Sequence, residues 1–180
     1  YMAFFPSYKY MEEAYWCFSQ AYGSRFKTVL QDRFLTDVEK NSFLDAFNDT
    51  DQEQSMVCFV VMGSHFSEGI DLVGEKLVGA AVVGVGLPMV DLENQIIQHY
   101  FDSRGSDGFA LAYQCPGVNK VMQSAGRVIR DEQDRGVILL IDERYAQKHY
   151  KKYFPEDWGD VYTTIDGIEK QLEEFWKREE

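Results

Sequence analysis

One glutamine and two arginines in the segment from Gln123 to Arg130 have the types and spacing that binding a polyanion requires. A helix turns by about 100° per residue, so Gln123, Arg127 and Arg130 would fall within an arc of about 60°. Two permanently charged guanidinium groups held side by side repel each other unless an anion binds between them. The opposite side of this helix would be apolar, with Val121, Met122, Ala125, Val128 and Ile129. The segment therefore predicts an anchored helix that binds a nucleoside triphosphate.

The alternative for this segment is a solvated helix face whose arginines are neutralised by Asp131, Glu132 and Asp134. The surrounding sequence favours the triphosphate-binding site over this solvated helix face. The apolar run Val137 to Ile141 is typical of a strand buried on both faces, and the polar loop Ser67 to Asp71 follows another apolar run. Ligands of parallel sheets bind beyond the carboxyl ends of the strands, so we expect the loop and the arginines to share one edge.

Strand and helix patterns alternate along the chain. Strands are predicted over residues 1–5, 26–31, 57–63, 80–85 and 137–141. Helices are predicted over residues 9–22, 36–47, 92–101, 118–130 and 166–176, with Asp91 as an N-cap and Pro116 breaking the pattern before the helix of Arg127. This order predicts an α/β fold, a parallel sheet with helices on both faces in a three-layer sandwich. Because the chain opens directly on a strand, we expect it to be part of a longer protein.

Composition limits the classes of function. The 180 residues, 45% of them hydrophobic, suffice for one well-buried domain, and a formal charge of −12 argues against binding nucleic acid through bulk electrostatics. Any contact with nucleic acid must therefore be local.

The sequence predicts no metal site, because Cys17, Cys58, Cys115 and the three histidines lie too far apart for metal-ligand spacing. The sequence has no membrane-length apolar run or signal-peptide pattern, and we expect a cytoplasmic protein.

Three segments resemble helicase motifs in the correct order. Phe4 to Tyr8 resembles motif IV, Phe66 to Asp71 with Gly84 to Pro88 resembles motif V and its following strand, and Gln123 to Arg130 resembles motif VI. Over nearly all of residues 1–180 the chain is similar to the second RecA-like motor domain of superfamily 2 helicases of the XPD and DinG type. The resemblance implies a RecA-like fold and the C-terminal motor half of an ATP-dependent DNA helicase that moves 5′ to 3′.

In that family two RecA-like domains close on one ATP, and the first supplies the phosphate loop and the Mg²⁺ ligands. This chain has no phosphate-loop motif, so the resemblance implies that ATP and Mg²⁺ are held mainly by an absent first domain and that the isolated chain is inactive. Arg127 and Arg130 match the motif VI arginines that stabilise the transferring phosphoryl group. Gln123 matches the glutamine that positions those arginines or the attacking water.

The resemblance also assigns residues of motifs IV and V. Gly69 and Asp71 match positions next to the nucleotide or the motif VI arginines, and Ser67 and Glu68 match positions that pass nucleotide state to the bound strand. Glu68 could equally form a structural salt bridge.

Ser7 and Tyr8 match positions that face single-stranded DNA, where a hydroxyl suits a phosphate and a ring suits a stacked base. Their structural alternative is a strand terminator and a core tyrosine.

Other functions remain open at this point. The parent could be a DinG-like nucleic-acid-stimulated ATPase, or a nuclease-linked or regulatory protein without processive unwinding. The resemblance also allows an iron–sulfur cluster in the parent's first motor domain, although this chain lacks the cysteine-rich insertion that holds it. A dinucleotide-binding domain is suggested by Gly84 and Gly86 after a strand, but the third glycine and the acidic residue of that fingerprint are missing.

Overall fold

A computed structural model describes residues 1–34, 41, 45, 47, 54–64, 77–129, 134–156, 158 and 164–177. Its strands are β1 (Met2–Phe5), β2 (Lys27–Leu30), β3 (Met56–Val61), β4 (Gly79–Val83) and β5 (Val137–Ile141). They form one sheet in the order β2-β3-β1-β4-β5, and every neighbouring pair is parallel. The predicted α/β fold with a parallel sheet is confirmed.

β1 is the central strand because its side chains are apolar on both faces. All four of its residues are buried, and Met2 aligns with Cys58 of β3 on one side and Ala80 of β4 on the other. The prediction that β5 is buried on both faces is wrong. β5 lies at the edge of the described sheet, where its side chains are only half-buried and Ile141 is 51% exposed.

Helix α1 (Tyr8–Tyr22) confirms the helix predicted over residues 9–22. Its buried Met11 packs against Ala3 and Phe5 of β1 and Phe59 of β3. Packing of this apolar face fixes the first turn of α1 directly beyond the end of β1, since only two residues separate the strand from the helix. The residues that resemble motif IV are therefore held rigidly at the sheet.

Helix α2 (Leu92–Asp102) begins as predicted, with the Asp91 carboxylate accepting a hydrogen bond of 2.8 Å from the amide of Asn94. The chain becomes helical again at Gly108 and passes through a π-helical turn (Ala110–Gln114) into α3 (Cys115–Ala125). The expected break at Pro116 is wrong, because this proline lies in the first turn of α3. The wider π-helical turn before it suits a residue that lacks an amide donor and crowds the preceding turn.

The described chain divides into two compact units, Tyr1–Asp142 and Glu143–Glu180. The second unit contains the helices Lys148–Lys151 and Ile165–Lys177, and the latter confirms the helix predicted over residues 166–176. The helix expected over residues 36–47 lies almost entirely outside the described residues, which here include only 41, 45 and 47. Among the described helices, none has the length and apolar character needed to cross a bilayer.

Candidate functional site

The residues that follow β1 to β4 gather at one end of the sheet, which we call the carboxyl edge. Ser7 and Tyr8 follow β1, Gln31 follows β2 and Ser64 follows β3. Because these strands are parallel, the residues that follow them lie at the same end of the sheet although they are far apart in the sequence. The carboxyl edge is therefore a candidate site, and it includes the residues Ser7 and Tyr8 of the motif IV segment.

Ser7 has a structural role at this edge. Its backbone is extended, and its hydroxyl accepts a hydrogen bond of 3.3 Å from the amide of Tyr10, so it is the N-cap of α1. N-capping is a structural role, but it is not the strand-terminating role that we considered as the alternative. The side chain is exposed at the surface, so contact with a phosphate stays a prediction.

Tyr8 is half-buried and packs against the core cluster of Ala3, Phe5, Met11 and Phe59. Its hydroxyl accepts a hydrogen bond of 3.1 Å from Nε2 of Gln31. The guanidinium of Arg33 lies 5.2 Å from the centre of the Tyr8 ring. The same guanidinium binds both carboxylate oxygens of Glu12 on α1, at 3.0 and 3.1 Å. Tyr8 therefore has its hydroxyl and one ring face occupied by neighbours from the end of β2.

Gln31 was not singled out in the sequence, yet it is the polar centre of the carboxyl edge. Its side chain is only 5% exposed. Besides donating to Tyr8, its Oε1 accepts a hydrogen bond of 2.8 Å from the amide of Val61 and one of 3.3 Å from the hydroxyl of Ser64. A buried carboxamide needs such partners, because an unpaired polar group in the core is costly. The sequence around Gln31 carries no local signal of this role, because its partners lie beyond the ends of β1 and β3.

Lys120 brings a positive charge to the same edge, and it too was missed. Its Cδ and Cε lie 3.5 Å from the position that a Cβ on Gly63 would take, and its Cβ lies 3.5 Å from the equivalent position on Gly86. Both glycines have left-handed backbones, with φ of 73° and 62°, which other residues rarely adopt. The turns after β3 and β4 therefore cradle the stem of a lysine from α3.

Helix α3 runs from the carboxyl edge to the opposite, amino edge of the sheet. At its start, Gly117 approaches the backbone of Val85 beyond β4. After its end, Val128 contacts Gly136, which precedes β5. α3 is therefore antiparallel to the strands, as a helix that connects two parallel strands must be.

Arg127 lies at the amino end of this crossing rather than at the carboxyl edge. The helix ends at Ala125, and Arg127 is half-buried in the turn that follows, with its amide 3.4 Å from the carbonyl of Ser124. Our expectations that Arg127 belongs to the helix and lies at the carboxyl edge are wrong. The predicted arc of Gln123, Arg127 and Arg130 on one continuous helix is therefore wrong as well.

The apolar side of this segment is largely as predicted. Val121, Ala125 and Val128 are buried, whereas Ile129 is 41% exposed, contrary to expectation. Gln123 is exposed near the end of α3. The helix is capped by Gly126, whose amide donates to the carbonyls of Met122 and Ser124, and Val128 is buried beyond this cap.

Five predicted site residues lie outside the described residues: Ser67, Glu68, Gly69, Asp71 and Arg130. Residues 65–76 connect Ser64 at the carboxyl edge to Leu77, which precedes β4 at the amino edge. The assignment of motif V and of the second motif VI arginine therefore stays a prediction.

Cys58 of β3 lies in surroundings that make its thiol unreactive. Cys58 is fully buried, and burial raises the pKa of its thiol to about 12, although the positive charge of Lys27 acts in the opposite direction. Among the described residues, no cluster of three or more histidine, cysteine or acidic side chains could hold a metal ion.

Comparison with known proteins places this fold among helicases. The model of the family described as "Helicase C-terminal domain" matches residues 1–161. The ATP-dependent DNA helicase chl-1 of Caenorhabditis elegans is 31% identical over 107 residues, which are 58% of this chain and 13% of that protein. The ATP-dependent DNA helicase DinG of Photobacterium profundum is 34% identical over 89 residues, 48% of this chain and 13% of that protein. The chain thus spans about an eighth of these relatives.

Solved structures show the same fold at low sequence identity. Apo XPD superimposes with a TM-score of 0.62 at 20% identity, over 84% of this chain and 30% of the XPD chain. Domain 2 of the DEAD-box helicase Mss116p, solved with an RNA duplex, superimposes with a TM-score of 0.52 at 12% identity, over 97% of this chain and 56% of that chain. The RecA-like arrangement expected from the sequence is confirmed.

Proposed function

The chain belongs to the helicase C-terminal domain family, and from this we propose that it is the C-terminal motor half of an ATP-dependent DNA helicase. We call the longer chain that would contain it the parent protein. The family match over residues 1–161 is the observation that carries the proposal. The parallel sheet and the polar carboxyl edge support it, because this is where such folds bind ligands.

We assign the catalytic contribution of this half to Arg127, Arg130 and Gln123. The two guanidiniums would stabilise the negative charge that develops on the transferring phosphoryl group, and Gln123 would position them or the attacking water. The structure around Arg127 suits this role. Val128 and Ala125 are buried on either side of it in sequence, so the backbone that carries the guanidinium is fixed before ATP binds.

ATP and Mg²⁺ would be held mainly by the first RecA-like domain of the parent. From motif V we assign Gly69, Asp71 and Glu68 to the nucleotide side of the site. Those three residues would sense nucleotide state, and the first domain would supply the phosphate cradle.

Single-stranded DNA is the proposed nucleic acid, with Ser7, Tyr8 and Ser67 as its contacts. The carboxyl edge exposes the Ser7 side chain and part of Tyr8 at the same end of the sheet as the Lys120 side chain. A hydroxyl, an aromatic ring and a local positive charge suit a phosphate and a stacked base even on a chain of net charge −12. We propose that the parent moves 5′ to 3′.

The test uses the purified parent with single-stranded DNA and with duplexes that carry a 5′ or a 3′ single-stranded tail. We expect ATP hydrolysis that single-stranded DNA stimulates, and ATP-dependent displacement of the strand from the 5′-tailed duplex. Hydrolysis without displacement of either duplex would support the alternative, a nucleic-acid-stimulated ATPase. Absence of DNA-stimulated hydrolysis would contradict both, and displacement from the 3′-tailed duplex would contradict the direction.

A further inference from the structure

We propose that Gln31 is a positioning residue that couples Tyr8 to the segment leading into motif V. The proposal rests on the proposed function, in which Tyr8 faces the nucleic acid, and Glu68, Gly69 and Asp71 face the nucleotide. No helicase motif that we recognised in the sequence includes Gln31. Its role would be to transmit the state of the bound strand to the nucleotide side of the motor.

The geometry of the Gln31 side chain carries this inference. One carboxamide joins three stretches of chain, since Nε2 donates to Tyr8 beyond β1 and Oε1 accepts from Val61 and Ser64 at the end of β3. Its own amide donates a hydrogen bond of 2.9 Å to the carbonyl of Phe59, which fixes the backbone from which the side chain extends. The ends of β1, β2 and β3 are therefore linked through one buried side chain.

The direction of these hydrogen bonds leaves Gln31 little freedom. Val61 offers an amide donor, which only Oε1 can satisfy, so the amino group of the carboxamide must face Tyr8. A buried carboxamide that lost either set of contacts would pay a desolvation penalty without compensation. If the Tyr8 hydroxyl moves, the Gln31 side chain must move with it to keep their hydrogen bond. Because Oε1 of Gln31 also accepts from Ser64, the movement is passed on to Ser64.

Ser64 is the last described residue before the segment 65–76. Only two residues separate it from Ser67, where the resemblance to motif V assigns contact with the bound strand. Arg33 strengthens the link from the other side, since it covers the Tyr8 ring and binds Glu12. The end of β2 thus holds Tyr8 by its hydroxyl and by its ring, and it holds the beginning of the motif V segment by the hydroxyl of Ser64.

The experiment measures ATP turnover of the parent with and without single-stranded oligonucleotide. The readout is the ratio of stimulated to basal turnover. Gln31→Leu keeps the size of the side chain and removes its hydrogen bonds, so we expect this ratio to fall at least fivefold. Gln31→Glu can still accept hydrogen bonds from Val61 and Ser64, and its carboxylate can accept a hydrogen bond that the Tyr8 hydroxyl donates, so we expect it to retain at least half of the wild-type ratio.

The matched control is Met2→Ala at the amino end of β1, a fully buried site remote from the carboxyl edge. This variant should lower the melting temperature at least as much as Gln31→Leu but leave the ratio unchanged. Tyr8→Phe removes only the hydroxyl and should lower the ratio on its own. Added to Gln31→Leu, it should lower the ratio no further. If Gln31→Leu does not fold, Tyr8→Phe and Gln31→Glu decide the question.

Several outcomes would overturn the role of Gln31. The first is a ratio of stimulated to basal turnover that stays unchanged in Gln31→Leu or Tyr8→Phe. The second is a ratio that falls as far in Met2→Ala as in Gln31→Leu. The third is a ratio in Gln31→Glu that is as low as in Gln31→Leu. A wild-type parent whose turnover does not respond to DNA would instead contradict the proposed function. The two failures are therefore distinguished by the wild-type measurement.

Discussion

The guanidinium of Arg33 lies over one face of the Tyr8 ring, 5.2 Å from its centre. That face is therefore not available to a nucleic-acid base while Arg33 stays in place. A base could stack only on the other face, or could replace Arg33 if Glu12 released it. Tyr8 is thus a structural residue of the carboxyl edge in this conformation. Its proposed contact with DNA uses the face of the ring that Arg33 does not cover.

Tyr8→Ala should weaken binding of single-stranded oligonucleotide to the parent by about 1–3 kcal/mol, the usual contribution of a stacked base. Because stacking does not neutralise phosphate, the loss should be nearly the same at two salt concentrations. Fluorescence anisotropy titrations of the wild type and the variant measure it, with the exposed Tyr22→Ala on α1 as a control. Equal affinities for wild type and Tyr8→Ala would make Tyr8 a packing residue only.

Ser7→Ala should destabilise the protein by about 1 kcal/mol, because α1 loses its N-cap. Asp91→Ala removes the corresponding cap of α2 and should have a similar effect on stability. Urea unfolding of both variants measures these losses. If Ser7 also binds a phosphate, only Ser7→Ala should in addition weaken binding of DNA. Equal DNA binding by the two variants would leave Ser7 as a cap alone.

Cys58 should not react with iodoacetamide at pH 8 in the folded protein, whereas the exposed Cys17 should. Burial raises the pKa of the Cys58 thiol from 9.0 to about 12, so almost no thiolate forms there at pH 8. Mass spectrometry of the alkylated protein, before and after unfolding, identifies the labelled cysteine. Labelling of Cys58 as fast as Cys17 in the folded state would contradict its buried position.

The same pKa predicts how stability depends on pH. Above pH 9 the unfolded chain loses the Cys58 proton while the folded protein keeps it, so stability falls as pH rises from 9 towards 12. One such proton changes the free energy of unfolding by at most about 1.4 kcal/mol per pH unit. The difference in stability between wild type and Cys58→Ala should therefore narrow between pH 8 and pH 10. Urea unfolding at both pH values measures this change, and a constant difference would contradict it.

Much of the fold was predictable because it depends on local patterns. Apolar runs specify β1, β3 and β5, and Asp91 begins α2 through its own side chain. The end of α3 was predicted too late, although Gly126, which directly follows Ala125 and caps the helix, was a local signal for it. The role of Gln31 was not predictable, because it depends on contacts between segments that become neighbours only in the sheet. Its partners Tyr8 and Ser64 converge on it only when β1, β3 and β2 are adjacent, and no local pattern encodes that order.

The isolated 180-residue chain should not hydrolyse ATP. Phosphoryl transfer needs the phosphate cradle and the metal as well as the arginines. We assign the phosphate cradle and the metal ligands to the first motor domain. Release of inorganic phosphate from the purified chain, with and without single-stranded DNA, tests this expectation. Turnover that Arg127→Ala abolishes in the isolated chain would contradict the division of the motor into two halves.

The central claim is tested most directly by single-turnover ATP hydrolysis in the parent with Arg127→Ala and, separately, Arg130→Ala. We predict that each variant lowers the rate roughly a thousandfold or more, the effect typical of removing an arginine finger, with the affinity for ATP and the melting temperature nearly unchanged. The exposed Arg104→Ala on the turn after α2 is the control and should hydrolyse ATP at the wild-type rate. If either motif VI variant instead loses several degrees of melting temperature and keeps its hydrolysis rate, that arginine is structural and the account is contradicted.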